Sequence, residues 1–128
     1  MIKVNKTVLI IDDSTFMRNM LKNVLSESNY LVISEASNGN DAISLYQEFN
    51  PDIVLLDITL PDINGIDVLK KLIKINSEAK IVMCSSMGQS FVIIEALELG
   101  AKDFIVKPNF NELIPALNKV FNLPIKIC

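Results

Sequence analysis

Several side chains able to do chemistry stand directly behind short apolar runs. Asp12 and Asp13 follow Thr7-Val-Leu-Ile-Ile11, Asp57 follows Ile53-Val-Leu-Leu56, Ser85 and Ser86 follow a run ending at Cys84, and Lys107, then Pro108, follow Phe104-Ile-Val106. Three carboxylates gathered in one place cannot all stay ionised cheaply without a cation, because like charges raise one another's pKa. Oxygen ligands of high charge density suit Mg²⁺, which keeps several waters and takes a few carboxylates. A lysine and a serine hydroxyl supply what a phosphoryl group needs, a point charge and a hydrogen-bond donor. Together these groups describe a site that accepts a phosphoryl group on an aspartate, a known covalent intermediate. Singly, each has a plainer use. A strand-end Asp such as Asp12 or Asp13 is often a helix N-cap, Ser85 a small strand-end residue and Lys107 a solvated charge. Their conjunction at matching positions carries the reading.

The elements that must position them alternate along the chain. Residues 7–11, 31–34, 53–56, 80–84 and 104–106 are short and largely β-branched, too short for helices and apolar on both faces, which predicts buried parallel strands. Helical spacing fills the gaps: Met17, Met20, Leu21, Val24 and Leu25; Ala42, Leu45, Tyr46 and Phe49; Ile66, Leu69, Leu72 and Ile73; Ile93, Ala96 and Leu97; Leu113, Leu117, Val120 and Phe121. Turn dipeptides separate them, among them Asn38-Gly39, Asn50-Pro51 and Asn64-Gly65. Strands alternating with helices predict a single α/β domain, a doubly wound parallel sheet covered on both faces. In such sheets ligands bind at the carboxyl ends of the strands, where the acids, serines and lysine are found.

Composition narrows the function. With 128 residues, 50% of them hydrophobic and 21% charged, the chain has the size and content of one folded domain. Its net charge of −3 lacks the basic surplus of a nucleic-acid binder. The chain contains no histidine, which excludes imidazole catalysis and zinc–histidine sites. Two cysteines, Cys84 and Cys128, fit a reducing compartment. No run spans a membrane, and Met1-Ile-Lys-Val-Asn-Lys lacks a signal-peptide core, so a cytoplasmic protein is expected.

The residues resemble the receiver domain of two-component response regulators. The matching pieces are Val8-Leu-Ile-Ile-Asp12-Asp13-Ser14, Pro51-Asp-Ile-Val-Leu-Leu-Asp57-Ile-Thr-Leu-Pro61, Asn64-Gly65, Cys84-Ser85-Ser86 and Gly100-Ala-Lys-Asp-Phe-Ile-Val-Lys107-Pro108, in order over residues 6–121. Phe16-Met-Arg-Asn-Met-Leu-Lys22 and Ser85-Ser-Met-Gly-Gln89 are similar to the stand-alone chemotaxis regulators of the CheY type in Gram-positive and related bacteria. The resemblance implies a (βα)5 flavodoxin-like fold without an output domain. The favoured strand order, 2-1-3-4-5, is that of flavodoxin and CheY themselves, and the spacing alone does not select it. It implies Asp57 as phosphoacceptor, with a histidine kinase as donor. Mg²⁺ would be held by Asp13, Asp57 and the Thr59 backbone carbonyl, and by Asp12 through water. Lys107 would contact the carboxylate or the phosphoryl oxygens, the Lys107-Pro108 bond would be cis, and Ser85 and Phe104 would switch conformation. Thr59 and Met87 would tune the phosphoryl lifetime. The protein itself would be a regulator rather than an enzyme, one that assists its own phosphotransfer and dephosphorylation. A monomer or weak dimer is expected.

The helix over residues 89–99 is apolar beyond one face. If Ile93, Ala96 and Leu97 face the core, Phe91, Ile94, Glu95 and Glu98 form a second stripe suited to a protein partner such as a flagellar switch component. The plainer alternative is a wide buried face. Two features depart from the family: Asn109 separates Lys107-Pro108 from Phe110, and Pro115 falls near the start of the last helix. Among other readings, a phosphorelay intermediate or another single-domain regulator would look similar. A haloacid-dehalogenase phosphohydrolase would place its nucleophile on the first strand and carry a later acidic pair. A flavin carrier would need a phosphate-cradling loop after that strand, and a phosphate-independent scaffold would not need the acid–Ser–Lys set.

Overall fold

The computed structural model describes residues 5–86 and 90–123. Strands β1 (Lys6–Ile11), β2 (Tyr30–Ala36), β3 (Ile53–Leu56), β4 (Ile81–Ser85) and β5 (Asp103–Val106) alternate with helices α1 (Thr15–Leu25), α2 (Gly39–Phe49), α3 (Gly65–Ile75), α4 (Ser90–Leu99) and α5 (Leu113–Val120). The strands pair in parallel in the order β2-β1-β3-β4-β5.

Period-two alternation divides the apolar strands between two cores. Val8, Ile10, Ile53, Leu55, Val82, Cys84 and Ile105 face α1 and α5, whose Leu21, Leu25, Leu113 and Leu117 are buried against them. Leu9, Ile11, Val54, Leu56, Ile81 and Met83 face α2, α3 and α4. Each such aliphatic side chain contributes about 1.5–3 kcal/mol on full burial. Strands this apolar are stable only in the interior of a sheet covered on both sides. The edge strand β2 is longer than the apolar run predicts and leaves Leu31 54% exposed.

Helix starts are set by short polar side chains. The Ser14 hydroxyl accepts from Met17 N at the start of α1, and the Asn38 and Asn64 side chains accept from Asp41 N and Ile66 N at α2 and α3. Ser14, not Asp12 or Asp13, therefore caps α1, which leaves both acids available for other work. Asn50 closes α2 in the left-handed region at φ 45°. A single 3-10 turn, Phe110–Glu112, leads into α5, and Pro115 is the third residue of that helix. The first turn has no intrahelical acceptor for its N–H groups, so the proline gives up no helical bond there.

Two side chains depart from the helical-face reading. Leu97 is 43% exposed and Phe49 45% exposed, although spacing places both toward the core. Phe49 is the last residue of α2, and in α4 only Ala96 is fully buried. No helix among the described residues is long and apolar enough to cross a membrane.

Candidate functional site

The crevice lies where strand order reverses. β1 is flanked by β2 and β3, so successive connections leave it in opposite directions and open a gap above its carboxyl end. Register delivers the chemistry to that gap. Ile11 pairs with Leu56, and the next residue on each strand is an aspartate. Asp57 N donates to the Ile11 carbonyl at 2.9 Å, and Asp12 N donates to the Ala36 carbonyl at 3.0 Å. Across the sheet Ser85 pairs with Val106, and Lys107 N donates to the Ser85 carbonyl at 2.8 Å. Asp12, Asp57 and Lys107 thus stand one residue past their strands, and Ser85 ends β4 fully buried.

Asp12, Asp13 and Asp57 each bring a carboxylate oxygen within 4.8 Å of the others. Asp12 and Asp57 are buried, while Asp13 is exposed. Lys107 Nζ contacts Asp12 Oδ2 and lies 3.2 Å from Asp57 Oδ2, with its side chain only 6% exposed. Asp12 Oδ1 also accepts from Ser14 N at 2.9 Å. Burial pushes the Asp57 carboxyl above its ordinary pKa; the Lys107 charge opposes this and the Asp12 charge adds to it. Burial pulls Lys107 down, but its hydrogen bond to Asp12 and the charges of Asp57 and Asp12 outweigh that and hold it above the usual lysine value. Three carboxylates and one ammonium carry −3 + 1 = −2, which one divalent cation neutralises. The donor set, all oxygen and partly solvent-facing, fits a hard cation that retains water.

The remaining sequence-chosen residues lie around this centre. Thr59 is exposed, and its N–H faces Asp57 Oδ1 at 3.4 Å. Phe104 is half-buried on β5, beside Met83 of β4, and borders a cleft of about 500 Å³ between β5 and α5. The Lys107-Pro108 peptide is cis. Phe91, Ile94, Glu95 and Glu98 are all exposed on α4. Met87 lies outside the described residues.

Three supporting residues escaped the sequence reading. Gly65 N donates to the Ile58 carbonyl at 2.6 Å, so the start of α3 rests directly on the main chain beyond β3. Asp62 accepts from Gly39 N at 2.7 Å, Asn40 N at 2.9 Å and Ile63 N at 2.8 Å, tying the loop after Asp57 to the start of α2. Those backbone donors hold its carboxyl below the ordinary value. Arg18 donates to the Asp12 carbonyl from α1. Gly65, read only as a turn residue, and Arg18 sat inside recognised motifs with no role at the site, and Asp62 stood beside one with nothing local to mark it.

Residues 8–118 match the response regulator receiver domain family. The chain belongs to that family. Among curated relatives, this receiver is 53% identical to chemotaxis protein CheY of Thermotoga maritima over 116 residues, covering 90% of this chain and 97% of that one. It is 46% identical to chemotaxis protein CheY of Bacillus subtilis, with the same coverage. Among solved structures, the CheX–CheY–BeF3–Mg²⁺ complex of Borrelia burgdorferi matches the receiver fold with a TM-score of 0.87 at 33% identity, covering 94% of this chain and 90% of that one. The receiver is therefore a component of two-component response regulation, and a regulator.

Proposed function

We propose that the protein is a CheY-type response regulator whose Asp57 accepts a phosphoryl group from a histidine kinase, in the cytoplasm, and so controls a chemotaxis target. The observation that carries this is Lys107 held between Asp12 and Asp57 inside a three-carboxylate cluster. An Asp57 oxygen attacks phosphorus, the bond from phosphorus to the kinase imidazole nitrogen breaks, and the leaving nitrogen keeps the electron pair. Mg²⁺ would be held by Asp13, Asp57 and the Thr59 backbone carbonyl, with Asp12 reaching it through water, and would supply positive charge against the transferring group.

This chain's own residues do the rest. Lys107 meets the phosphoryl oxygens with a fixed positive charge in a buried setting, where charge counts for more than in water. Ser85, buried at the end of β4, turns its hydroxyl toward those oxygens. Phe104, half-buried beside β4, repacks into the space behind it. Phosphorylation adds about −1.5 to −2 charges and shifts a pre-existing balance of two conformations by its unequal interaction with them. The altered face of α4, with Phe91, Ile94, Glu95 and Glu98, binds the target, a flagellar switch component or similar protein. Water attacking the acyl phosphate restores the carboxylate and releases inorganic phosphate, at a rate tuned by Thr59 and Met87.

Intact-mass analysis with acetyl phosphate and Mg²⁺ tests the phosphoacceptor. Wild type gains the mass of one phosphoryl group, and neither Asp57→Asn nor wild type in chelator does. Equal labelling of Asp57→Asn overturns the assignment.

A further inference from the structure

We propose that Arg18 is a positioning residue for the metal-binding acids, acting through the Asp12–Asp13 peptide, with Glu35 and Lys22 setting its direction. This inference rests on the Mg²⁺ reading above. Arg18 lies in the first part of α1 with its side chain 15% exposed. Nη1 donates to the Asp12 carbonyl at 2.6 Å, Nε to Glu35 Oε1 at 3.0 Å and Nη2 to Thr15 Oγ1 at 3.2 Å. Lys22 Nζ holds the other Glu35 oxygen at 2.9 Å. Glu35 comes from β2, where it pairs in register with Ile10 of β1. The guanidinium thereby spans the end of β2, the start of α1 and the turn that carries both acids.

The consequence follows from peptide planarity. Fixing the Asp12 carbonyl fixes the plane that contains Asp13 N and the Asp13 Cα. Asp12 is already pinned through its N–H to Ala36, through Oδ1 to Ser14 and through Oδ2 to Lys107. Its carbonyl is the handle that sets where Asp13 starts. The Asp13 side chain is exposed, so its aim depends on that backbone more than on packing. A rigid planar fork, with donors on three separate nitrogens, suits this work; the three donors of an ammonium all radiate from one nitrogen and do not match acceptors spread around a plane.

Charge and position predict opposite effects on cation affinity. A nearby positive charge alone weakens binding of Mg²⁺, so its loss would tighten it. Loss of aim loosens one carboxylate ligand and weakens binding. The double variant Arg18→Met/Glu35→Gln removes one positive and one negative charge, so the local net charge stays constant while the brace is lost.

Mg²⁺ titration of the full chain, followed by amide NMR shifts, reads the effect, with thermal unfolding run in parallel. Supporting groups of metal ligands cost about 10–100-fold in affinity when removed. The double variant is expected near the low end, about 10-fold weaker. Arg18→Lys is expected to fall between it and wild type, with a displaced Asp13 amide signal before metal is added. If Arg18→Lys and the double variant bind Mg²⁺ as wild type does, or more tightly, the inference is overturned even where their melting temperatures drop. Should the double variant not fold, Arg18→Lys decides alone. Wild type without any Mg²⁺ response overturns the metal reading itself, and this inference with it.

Discussion

Replacing Gly65 with alanine perturbs the site through its backbone. A Cβ built there lies 2.1 Å from the Asp57 carbonyl oxygen, 2.5 Å from the Ile58 Cα and 2.9 Å from the Asp57 carbonyl carbon. Close carbon–oxygen contacts begin at about 3.3 Å, so α3 and the chain leaving β3 must separate by roughly 1 Å. All three atoms are main chain, so no side chain can turn aside. Overpacking of this kind costs about 1–3 kcal/mol, and the displacement also breaks the Gly65 N–H to Ile58 bond, a further ~1 kcal/mol. A loss of about 3 kcal/mol is a large part of the roughly 5–15 kcal/mol that holds a domain folded. With a urea slope of about 1.5 kcal/mol per molar, the unfolding midpoint falls by about 2 M. Gly39→Ala is the internal comparison. Its Cβ meets Val68 Cγ2 at 2.9 Å and Ile63 Cβ at 3.1 Å, side-chain atoms that are farther off than the Asp57 carbonyl oxygen is from Gly65, so its cost should stay below that of Gly65→Ala, near the ~1 kcal/mol end of overpacking. A Gly65→Ala midpoint within experimental error of wild type, or a larger cost at Gly39, would refute the argument that this close approach shapes the loop.

Asp57→Asn should stabilise the metal-free protein. Burial raises the folded pKa of Asp57 above its unfolded value, so the native state holds more proton between the two, and stability falls as pH rises through that window. The cost is fully present above the folded pKa, and removing it raises the melting temperature at neutral pH. A pH scan of melting temperature in chelator, flatter for Asp57→Asn than for wild type, checks the sign. Cys84 is buried, and burial pushes its thiol up to about 12; peptide mapping after iodoacetamide at pH 8 should find it unmodified in the native protein and modified in urea. Asp62→Ala removes the acceptor of three backbone N–H groups. It should speed hydrogen exchange at Gly39, Asn40 and Ile63 at least tenfold while leaving the sheet amides protected.

Strands were legible because Ile53 and Leu55 must be covered on one side and Val54 and Leu56 on the other, which only an interior parallel strand allows. Once the strand ends were in place, Asp12, Asp57, Ser85 and Lys107 fell into one layer. The α4 residues were harder. Seven of its ten residues, Phe91, Val92, Ile93, Ile94, Ala96, Leu97 and Leu99, are apolar, more than one buried face needs, so spacing could not tell that Leu97 faces solvent. The end of α2 misled for a simpler reason: Phe49 keeps the helical period after the helix has run past its cover. Asp62 and Arg18 act on residues 23 and 6 positions away, on other elements, through main-chain atoms that every residue carries. Nothing in their spacing distinguishes such contacts from a solvated loop acid or a surface arginine. Gly65 could be read as a turn residue, but its need to touch the Asp57 main chain exists only once α3 is docked.

The central claim is that Asp57 is the acceptor of a phosphoryl switch that reaches Ser85 and Phe104. Beryllofluoride with Mg²⁺, titrated against wild type and Asp57→Asn and followed by backbone NMR, tests it most directly. The account predicts saturable shifts at Asp57, Ser85 and Phe104 in wild type and none in the variant. Shifts that persist in Asp57→Asn, or a wild type that does not respond, would contradict it.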